Sequence, residues 1–272
     1  MKNFDMNRFF QTLKWIIMEN RQKLMLWTAG STLGIFLLEL FFYYMTSPKG
    51  AENYQQTTMV VAGVCAFFIG LAIMISVAGL FSEFTTKQRR VSLLMLPASN
   101  LEKFLSAVIY ASVVSVACIL LAFIVGDTLR MLTLSLFFHQ PMCSAAGSLF
   151  TQVFHVEVNG ITMGYWQLFL MQVLSLVLLH STFTLGGSLF RKWPFLITAV
   201  IQIVLAMVFG MFMMFLSRNF DFELPMNLIE HYGKWMFYAY LLFLAAVSAL
   251  FYWLSYRIFT RMQVISRKWV NV

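Results

Sequence analysis

Six long apolar segments constrain the fold of this chain more than any other feature of its sequence. A bilayer core about 30 Å thick needs about 20 apolar residues in a helix. Backbone N–H and C=O groups inside lipid must be paired within the protein, so helices are the expected spanning form. We therefore predict an all-α polytopic membrane protein with a single transmembrane domain over residues 1–272. The predicted spans cover about residues 24–45, 58–82, 105–127, 165–188, 194–216 and 234–258.

Composition and charge agree with a membrane protein. Hydrophobic residues make up 60% of the chain and charged residues 11%, against roughly 45–50% and 25% in soluble domains. The net charge of +8 follows from the excess of Lys and Arg on the cytoplasmic loops of such proteins. Because the basic runs are no longer than two or three residues, we expect no nucleic-acid partner.

The distribution of Lys and Arg predicts the orientation of the spans. With the N-terminus inside, 15 of the 19 Lys and Arg residues fall on the inner side and 4 on the outer side. This bias is present at every inner loop and predicts that both termini are cytoplasmic. Trp and Tyr prefer the membrane interface, and Tyr165, Trp166, Trp193 and Trp253 fall near predicted span ends.

The N-terminal stretch is predicted to form a separate amphipathic helix over residues 7–20. Phe9, Phe10, Leu13, Ile16 and Ile17 fall on one side at helical spacing. Such a helix lies in the cytoplasmic membrane interface. The alternative is an extension of the first span, but the charges that follow at residues 21 and 23 favour a break. We expect Asn7 to cap the helix, and we expect no cleaved leader.

The segment 128–164 on the predicted outer side is semi-apolar but interrupted. It contains Pro141, Gly147 and Gly160. A further span there would invert the spans after it and remove the charge bias. We therefore predict a short extracellular helix or a re-entrant piece.

The cytoplasmic stretch KQRRVSLLMLPASNLEKFLS, residues 87–106, is more elaborate than a simple connector. A charged stretch is followed by an apolar run and then by a break at Pro97. Ser99 or Asn100 can cap a new helix that runs into the third span. The pattern predicts a short helix, a turn and the next helix, with a leucine face that needs a protein groove.

This stretch and the predicted topology resemble the permease subunits of ABC-2-type ATP-binding cassette transporters. Those proteins have an interfacial elbow helix, six spans, and a cytoplasmic coupling helix between spans two and three. The family pattern is a charged stretch, a leucine pair, Pro with a small residue, and an acid entering the next helix. Two features differ: the family often has Gly-Thr and an acid before the leucines, where Val91 and Ser92 stand here, and its extracellular helices usually lie between spans five and six.

The resemblance implies an exporter subunit in the bacterial plasma (inner) membrane, coupled to a separate ATPase through residues 87–103. It implies a dimer, with itself or a second permease, in contact with lipids. ATP and Mg would bind the ATPase partner, since this chain lacks the GxxxxGK[ST] phosphate loop; we predict no cofactor and no catalytic site in the chain itself. The residues implied to couple to the ATPase are Arg89, Arg90, Leu93, Leu94, Pro97, Glu102 and Lys103.

Four residues inside the predicted spans are candidates for a substrate path or for helix packing. Glu39 in FLLELFF is either a substrate or proton contact, or a residue that snorkels or pairs with Lys49 or Arg130. Gly30 and Gly34 form a GxxxG pattern, which permits an internal helix contact, the favoured interpretation, or a dimer seam. His180 is expected to hydrogen-bond a neighbouring helix rather than to relay protons.

Three other kinds of function were compared with the transporter hypothesis: a metal site, an intramembrane enzyme, and a scaffold or sensor. No spacing of Cys, His or acidic residues predicts a metal site. An intramembrane enzyme needs polar residues clustered at one depth. The polar residues of the predicted spans are too few and too scattered for such a site: Glu39, Gln172, His180 and Gln202. A non-transporting scaffold or sensor with the permease fold is the main alternative.

Overall fold

The computed structural model describes residues 4–46, 50–80, 91–93, 95–154, 165–190, 192–219 and 226–261. No β-strand occurs in these ranges. The helices are α1 (Met6–Glu19), α2 (Arg21–Thr46), α3 (Ala51–Ala78), α4 (Asn100–Ile109), α5 (Ser115–Phe138), α6 (Ala145–Phe154), α7 (Tyr165–Leu189), α8 (Pro194–Asn219) and α9 (Met226–Arg261). A π-helical turn, Tyr110–Val114, joins α4 to α5.

Six helical stretches are long and apolar enough to cross a membrane, which confirms the predicted class of all-helical, multi-pass membrane protein. Each satisfies its own backbone hydrogen bonds, as a lipid environment requires. The stretches are Arg21–Thr46, Asn53–Ala78, Asn100–Phe138, Phe169–Leu189, Pro194–Leu216 and Phe237–Arg261.

Large apolar side chains on the outside of the helices suit a lipid solvent. α8 shows this most clearly, because exposed residues follow one another around the helix rather than along one stripe. In water a continuous surface of this kind would drive association. Members of this surface with more than half of the side chain exposed include Leu196, Ile203, Val204, Leu205, Met207, Val208, Phe209 and Met211.

The N-terminal helix α1 is separated from α2 by a turn at Asn20. Its cap is Asp5 rather than Asn7: Asp5 Oδ1 accepts hydrogen bonds from the backbone N–H groups of Asn7 (2.8 Å) and Arg8 (3.4 Å). Asp5 has the extended backbone of a cap residue, so its carboxylate can reach the free N–H groups of the first turn. Asn7 lies within the helix and therefore cannot cap it. The buried side chains are Phe9, Thr12 and Ile16, whereas Phe10 points outward.

The helix of the third span is much longer than the predicted 105–127. It runs from Asn100 to Phe138 and ends where His139 adopts a left-handed conformation with φ of 50°. The sequence-based boundary fell at Asp127 because charges usually mark the end of a span. No Gly or Pro follows until Pro141, so the helix continues. The short helix α6 then lies within the segment 128–164, of which residues 155–164 are outside the described ranges.

The chain divides into two compact units. The first comprises Met1–Ser76 and Pro97–Tyr165, and the second comprises Val77–Leu96 and Trp166–Val272. In the first unit α2 packs along α5, and α1 packs against α4. Its apolar core includes Ile35, Val61, Ile69, Ile119 and Phe123.

In the second unit α7 passes very close to the end of α3. A Cβ added to Gly187 would lie 2.7 Å from the carbonyl oxygen of Ala78. Only glycine permits this approach, because a backbone carbonyl cannot rotate away as a flexible side chain does. The Gly186-Gly187 pair therefore marks a close helix crossing.

Candidate functional site

The beginning of α4 is closed by a capping box. The hydroxyl of Ser99 accepts a hydrogen bond from the backbone N–H of Glu102 (3.2 Å), and Glu102 Oε2 accepts one from the backbone N–H of Ser99 (2.7 Å). Of the two caps considered from the sequence, Ser99 is therefore the one used. This arrangement satisfies two backbone donors that the helix itself leaves unpaired.

Glu102 also connects α4 to the N-terminal helix. Its second oxygen, Oε1, accepts hydrogen bonds from the backbone N–H of Asp5 (2.8 Å) and from Arg8 Nη2 (3.1 Å). Nearby, the hydroxyl of Ser106 donates to the carbonyl oxygen of Phe9 (3.3 Å). The Glu102 side chain has no solvent-exposed surface. We call this group of contacts the α1–α4 junction.

The segment before Ser99 is described only at residues 91–93 and from residue 95 onward, and the predicted coupling helix stays a prediction. Residues 91–93 and 95 are helical, the backbone N–H of Leu96 donates to the carbonyl of Leu93 (3.3 Å), and residues 96–98 bend. Leu93 is buried, whereas Val91 is 42% exposed and Met95 is 80% exposed. Pro97 is also exposed.

The predicted coupling residues that the structure describes differ in their exposure to solvent. Leu93, Glu102 and Lys103 are buried within this chain, so in this conformation they do not offer a surface to another protein. Among the described residues of the segment, the exposed apolar side chains are Val91, Met95 and Pro97, of which only Pro97 is one of the predicted coupling residues. Arg89, Arg90 and Leu94 lie outside the described residues, and the coupling role of all seven stays a prediction.

We expect the junction to hold α1 in place. Replacing Glu102 with alanine leaves the two backbone donors and Arg8 without their acceptor, a loss of about 1–3 kcal/mol for an unsatisfied buried group. Faster amide hydrogen exchange over Met6–Glu19 in micelles is the expected result. Glu19→Ala, at an exposed position in the same helix, is the matched control. Equal exchange of α1 in both variants would contradict the role given to Glu102.

A second site is a buried ion cluster between α2 and α5, built around Arg130. Arg130 Nε donates to Glu39 Oε2 (2.9 Å) and to Asp127 Oδ1 (3.2 Å). Arg130 Nη2 donates to Asp127 Oδ1 and to the carbonyl oxygen of Cys143 (2.7 Å). The guanidinium carbon lies 4.9 Å from the centre of the Tyr43 ring. Of the two partners that the sequence suggested for Glu39, the structure uses Arg130.

Asp127 anchors the short helix α6 to this cluster. Its carboxylate accepts hydrogen bonds from Ser144 Oγ (2.7 Å) and from the backbone N–H groups of Ala145 (3.2 Å) and Ala146 (3.1 Å). A carboxylate at the N-terminus of a helix satisfies free donors and interacts favourably with the helix dipole. Asp127 is not among the functional residues predicted from the sequence. Its spacing of three residues from Arg130 on one helix is the signal that could have identified it.

Two cavities lie beside the ion cluster in the same unit. One, of about 250 Å³, is lined by Ser31, Gly34, Ile35 and Cys65 among others. The thiol of Cys65 also lies 3.5 Å from Glu39 Oε1. The other cavity, of about 440 Å³, is lined by Tyr43, Tyr54, Gln140 and mostly apolar neighbours. Tyr43 continues the polar contacts through a short hydrogen bond with Thr58.

The remaining candidates from the sequence are Gly30, Gly34 and His180. A Cβ added to Gly30 or Gly34 meets nothing within 4 Å, so neither glycine serves a close helix contact in the described chain. His180, in the second unit, hydrogen-bonds the Tyr252 hydroxyl on α9 through Nδ1 (2.7 Å), the kind of interhelical contact preferred for it. Among the described residues, no group of three His, Cys, Asp or Glu side chains is placed to hold a metal ion.

Comparison with protein-family models, with curated proteins and with solved structures finds no match to this chain.

Proposed function

We propose that this chain is the permease subunit of an ABC-2-type, ATP-driven exporter. It would form the substrate path as a dimer in a bacterial inner membrane, with both termini in the cytoplasm. A separate ATPase subunit would bind the cytoplasmic segment 87–103 and supply the energy of ATP hydrolysis.

The observation that carries the proposal is the arrangement of residues 91–102. A short helical stretch exposes Val91 and Met95, and a bend and a capped helix follow it directly in the chain. The exposed apolar pair offers an anchor of the size that a groove on a partner helix or sheet accepts. Exposed methionine adapts to such grooves because its side chain is flexible.

The α1–α4 junction gives this segment a route to the membrane part of the protein. In this proposal a force on residues 91–96 reaches Ser99 through two intervening residues, Pro97 and Ala98, and reaches Glu102 through the first turn of the helix that Ser99 caps. Glu102 then transmits it to α1 through Asp5 and Arg8, and to the long third span through the helix that it caps. In this proposal Glu102 links elements within the permease and does not itself contact the ATPase.

The test is the recovery of an ATPase with the tagged chain from membranes of its native host. In Met95→Asp and Val91→Asp variants we expect at least a tenfold loss of co-purified, nucleotide-stimulated ATPase, which corresponds to about 1.4 kcal/mol of binding free energy. Met142→Asp is the matched control, since Met142 is a similarly exposed methionine that the predicted orientation places outside. Unchanged recovery in both variants would contradict the proposal.

A second candidate is a non-transporting scaffold or sensor that has the permease fold. The burial of Leu93 and Glu102 within the chain favours it, because a docking segment was expected to present those side chains. The two candidates differ in vesicles that contain the chain and its ATPase: the exporter moves a substrate when ATP is added, and the scaffold does not.

A further inference from the structure

We propose that Glu39 is a proton-binding site inside the membrane, which takes up one proton from water and returns it without breaking the ion cluster. This inference does not rest on the proposed function. It follows from the charges of the cluster, from the number of hydrogen bonds that each carboxyl group accepts, and from the identity of the group next to Glu39.

The charges of the cluster do not balance when every group is ionised. Two carboxylates, Glu39 and Asp127, share one guanidinium, that of Arg130, and the exposed fraction of all three side chains is at most 2%. The other titratable groups around the cluster in the described chain are neutral ones: Tyr43 on α2, Tyr54 and Cys65 on α3, and Cys143 before α6. Among the described residues the fully ionised cluster therefore carries a charge of −1, which is unfavourable inside a membrane. One bound proton removes it.

Asp127 is not the group that takes this proton. Its two oxygens accept five hydrogen bonds, two from Arg130 and one each from Ser144, Ala145 and Ala146. Four of the five donors are N–H groups, which can only donate, and two of these belong to the Arg130 guanidinium, so this set of donors favours the ionised carboxylate. Hydrogen bonds of this number to the charged form hold a carboxylate ionised.

Glu39 has room for a proton because of its neighbour. Oε2 accepts from Arg130 Nε (2.9 Å) and keeps that bond in either state. Oε1 faces the sulfur of Cys65 at 3.5 Å. A thiol can donate or accept a hydrogen bond, so it donates to the carboxylate and accepts from the protonated acid. Glu39 can therefore change its charge while every heavy atom stays in place.

Cys65 also provides the approach for the proton. It lines the cavity of about 250 Å³ together with the hydroxyl-bearing Ser31, so a water molecule that enters this otherwise apolar space meets two polar partners beside the cluster. On the cluster itself, Arg130 Nη1 is buried without a hydrogen-bond partner, and it is a donor that an entering water molecule can satisfy. Protons move along such water and side-chain contacts.

Infrared difference spectra of the purified protein in lipid nanodiscs, taken between acidic and alkaline pH, test the proposal. A protonated carboxyl group gives a C=O stretching band that the carboxylate lacks. We expect a band of this kind that is present at acidic pH, is lost at alkaline pH and is absent from Glu39→Gln. Glu102→Gln, which removes another buried carboxyl group, should leave the band in place.

Cys65→Ala provides a second variant that keeps Glu39. Because the acid would lose its sulfur acceptor, the pH-sensitive band should persist and move in frequency. This variant decides the question if Glu39→Gln fails to fold. The proposal is overturned if Glu39→Gln retains the pH-sensitive band. It is also overturned if the band has the same frequency in Cys65→Ala as in the unmodified protein. A Glu39 band that is identical at both pH values overturns it as well.

Discussion

Replacing Arg130 with methionine is expected to lower the free energy of unfolding by about 3–5 kcal/mol, the usual effect of removing one partner of a buried ion pair. Methionine fills a similar volume but leaves Glu39 and Asp127 facing each other without a cation. It also leaves the Cys143 carbonyl without its donor. Protonation of both acids would reduce the loss, so the effect should be largest at alkaline pH. Reversible unfolding in mixed micelles with increasing SDS measures it.

Arg218→Met is the matched control for this measurement. Arg218 lies in the last turn of α8 and is exposed, and a substitution at such a position usually changes stability by less than about 0.5 kcal/mol. If the two arginine variants lost similar amounts of stability, the ion cluster would not stabilise the unit in the way its contacts indicate.

Replacing Asp127 with alanine is expected to release α6 from the cluster, at a cost of about 3 kcal/mol. The substitution removes the acceptor of three donors, Ser144, Ala145 and Ala146, and at the lower end of the usual cost, about 1 kcal/mol for each unsatisfied donor, the total is about 3 kcal/mol. Glu39 and Arg130 still form a neutral pair, so the loss should be smaller than in Arg130→Met. Amide hydrogen exchange over Ala145–Phe154 should accelerate more than exchange in α2.

The control for Asp127→Ala is Thr128→Ala on the same helix. The Thr128 hydroxyl is exposed and bonds only the carbonyl oxygen of Ile124 (2.7 Å) within its own helix. A double variant of Arg130 and Asp127 adds a further check, because neighbours in one network are not additive. The combined loss should be smaller than the sum of the single losses, and strict additivity would contradict a shared cluster.

The six spanning helices could be predicted from the sequence because each depends on its own segment. A run of apolar residues that pairs its own backbone groups needs no information from the rest of the chain. The end of the third span could not be predicted in this way. Charged residues such as Asp127 and Arg130 are typical of loops, but here they continue a helix because they form an ion cluster with Glu39, which is 91 residues from Arg130 in sequence.

The long-range contacts of Glu102 could not be predicted from the sequence either. The capping box could be predicted from Ser99 and the acid three residues later. The bonds to Asp5 and Arg8 join residues more than 90 positions apart, and no local pattern encodes them. The sequence resemblance assigned Glu102 to a partner protein, whereas the structure has it bound within the chain. That difference moves the expected docking surface to Val91 and Met95.

In the proposed function an ATPase binds the exposed apolar side chains of the segment 91–96, among them Val91 and Met95. Photo-crosslinking from a photo-reactive amino acid in place of Met95, in native membranes, detects such a contact. We predict an adduct whose second polypeptide, sequenced by mass spectrometry, contains a GxxxxGK[ST] phosphate loop. Adducts confined to this chain, or to polypeptides without that loop, would contradict the proposed function.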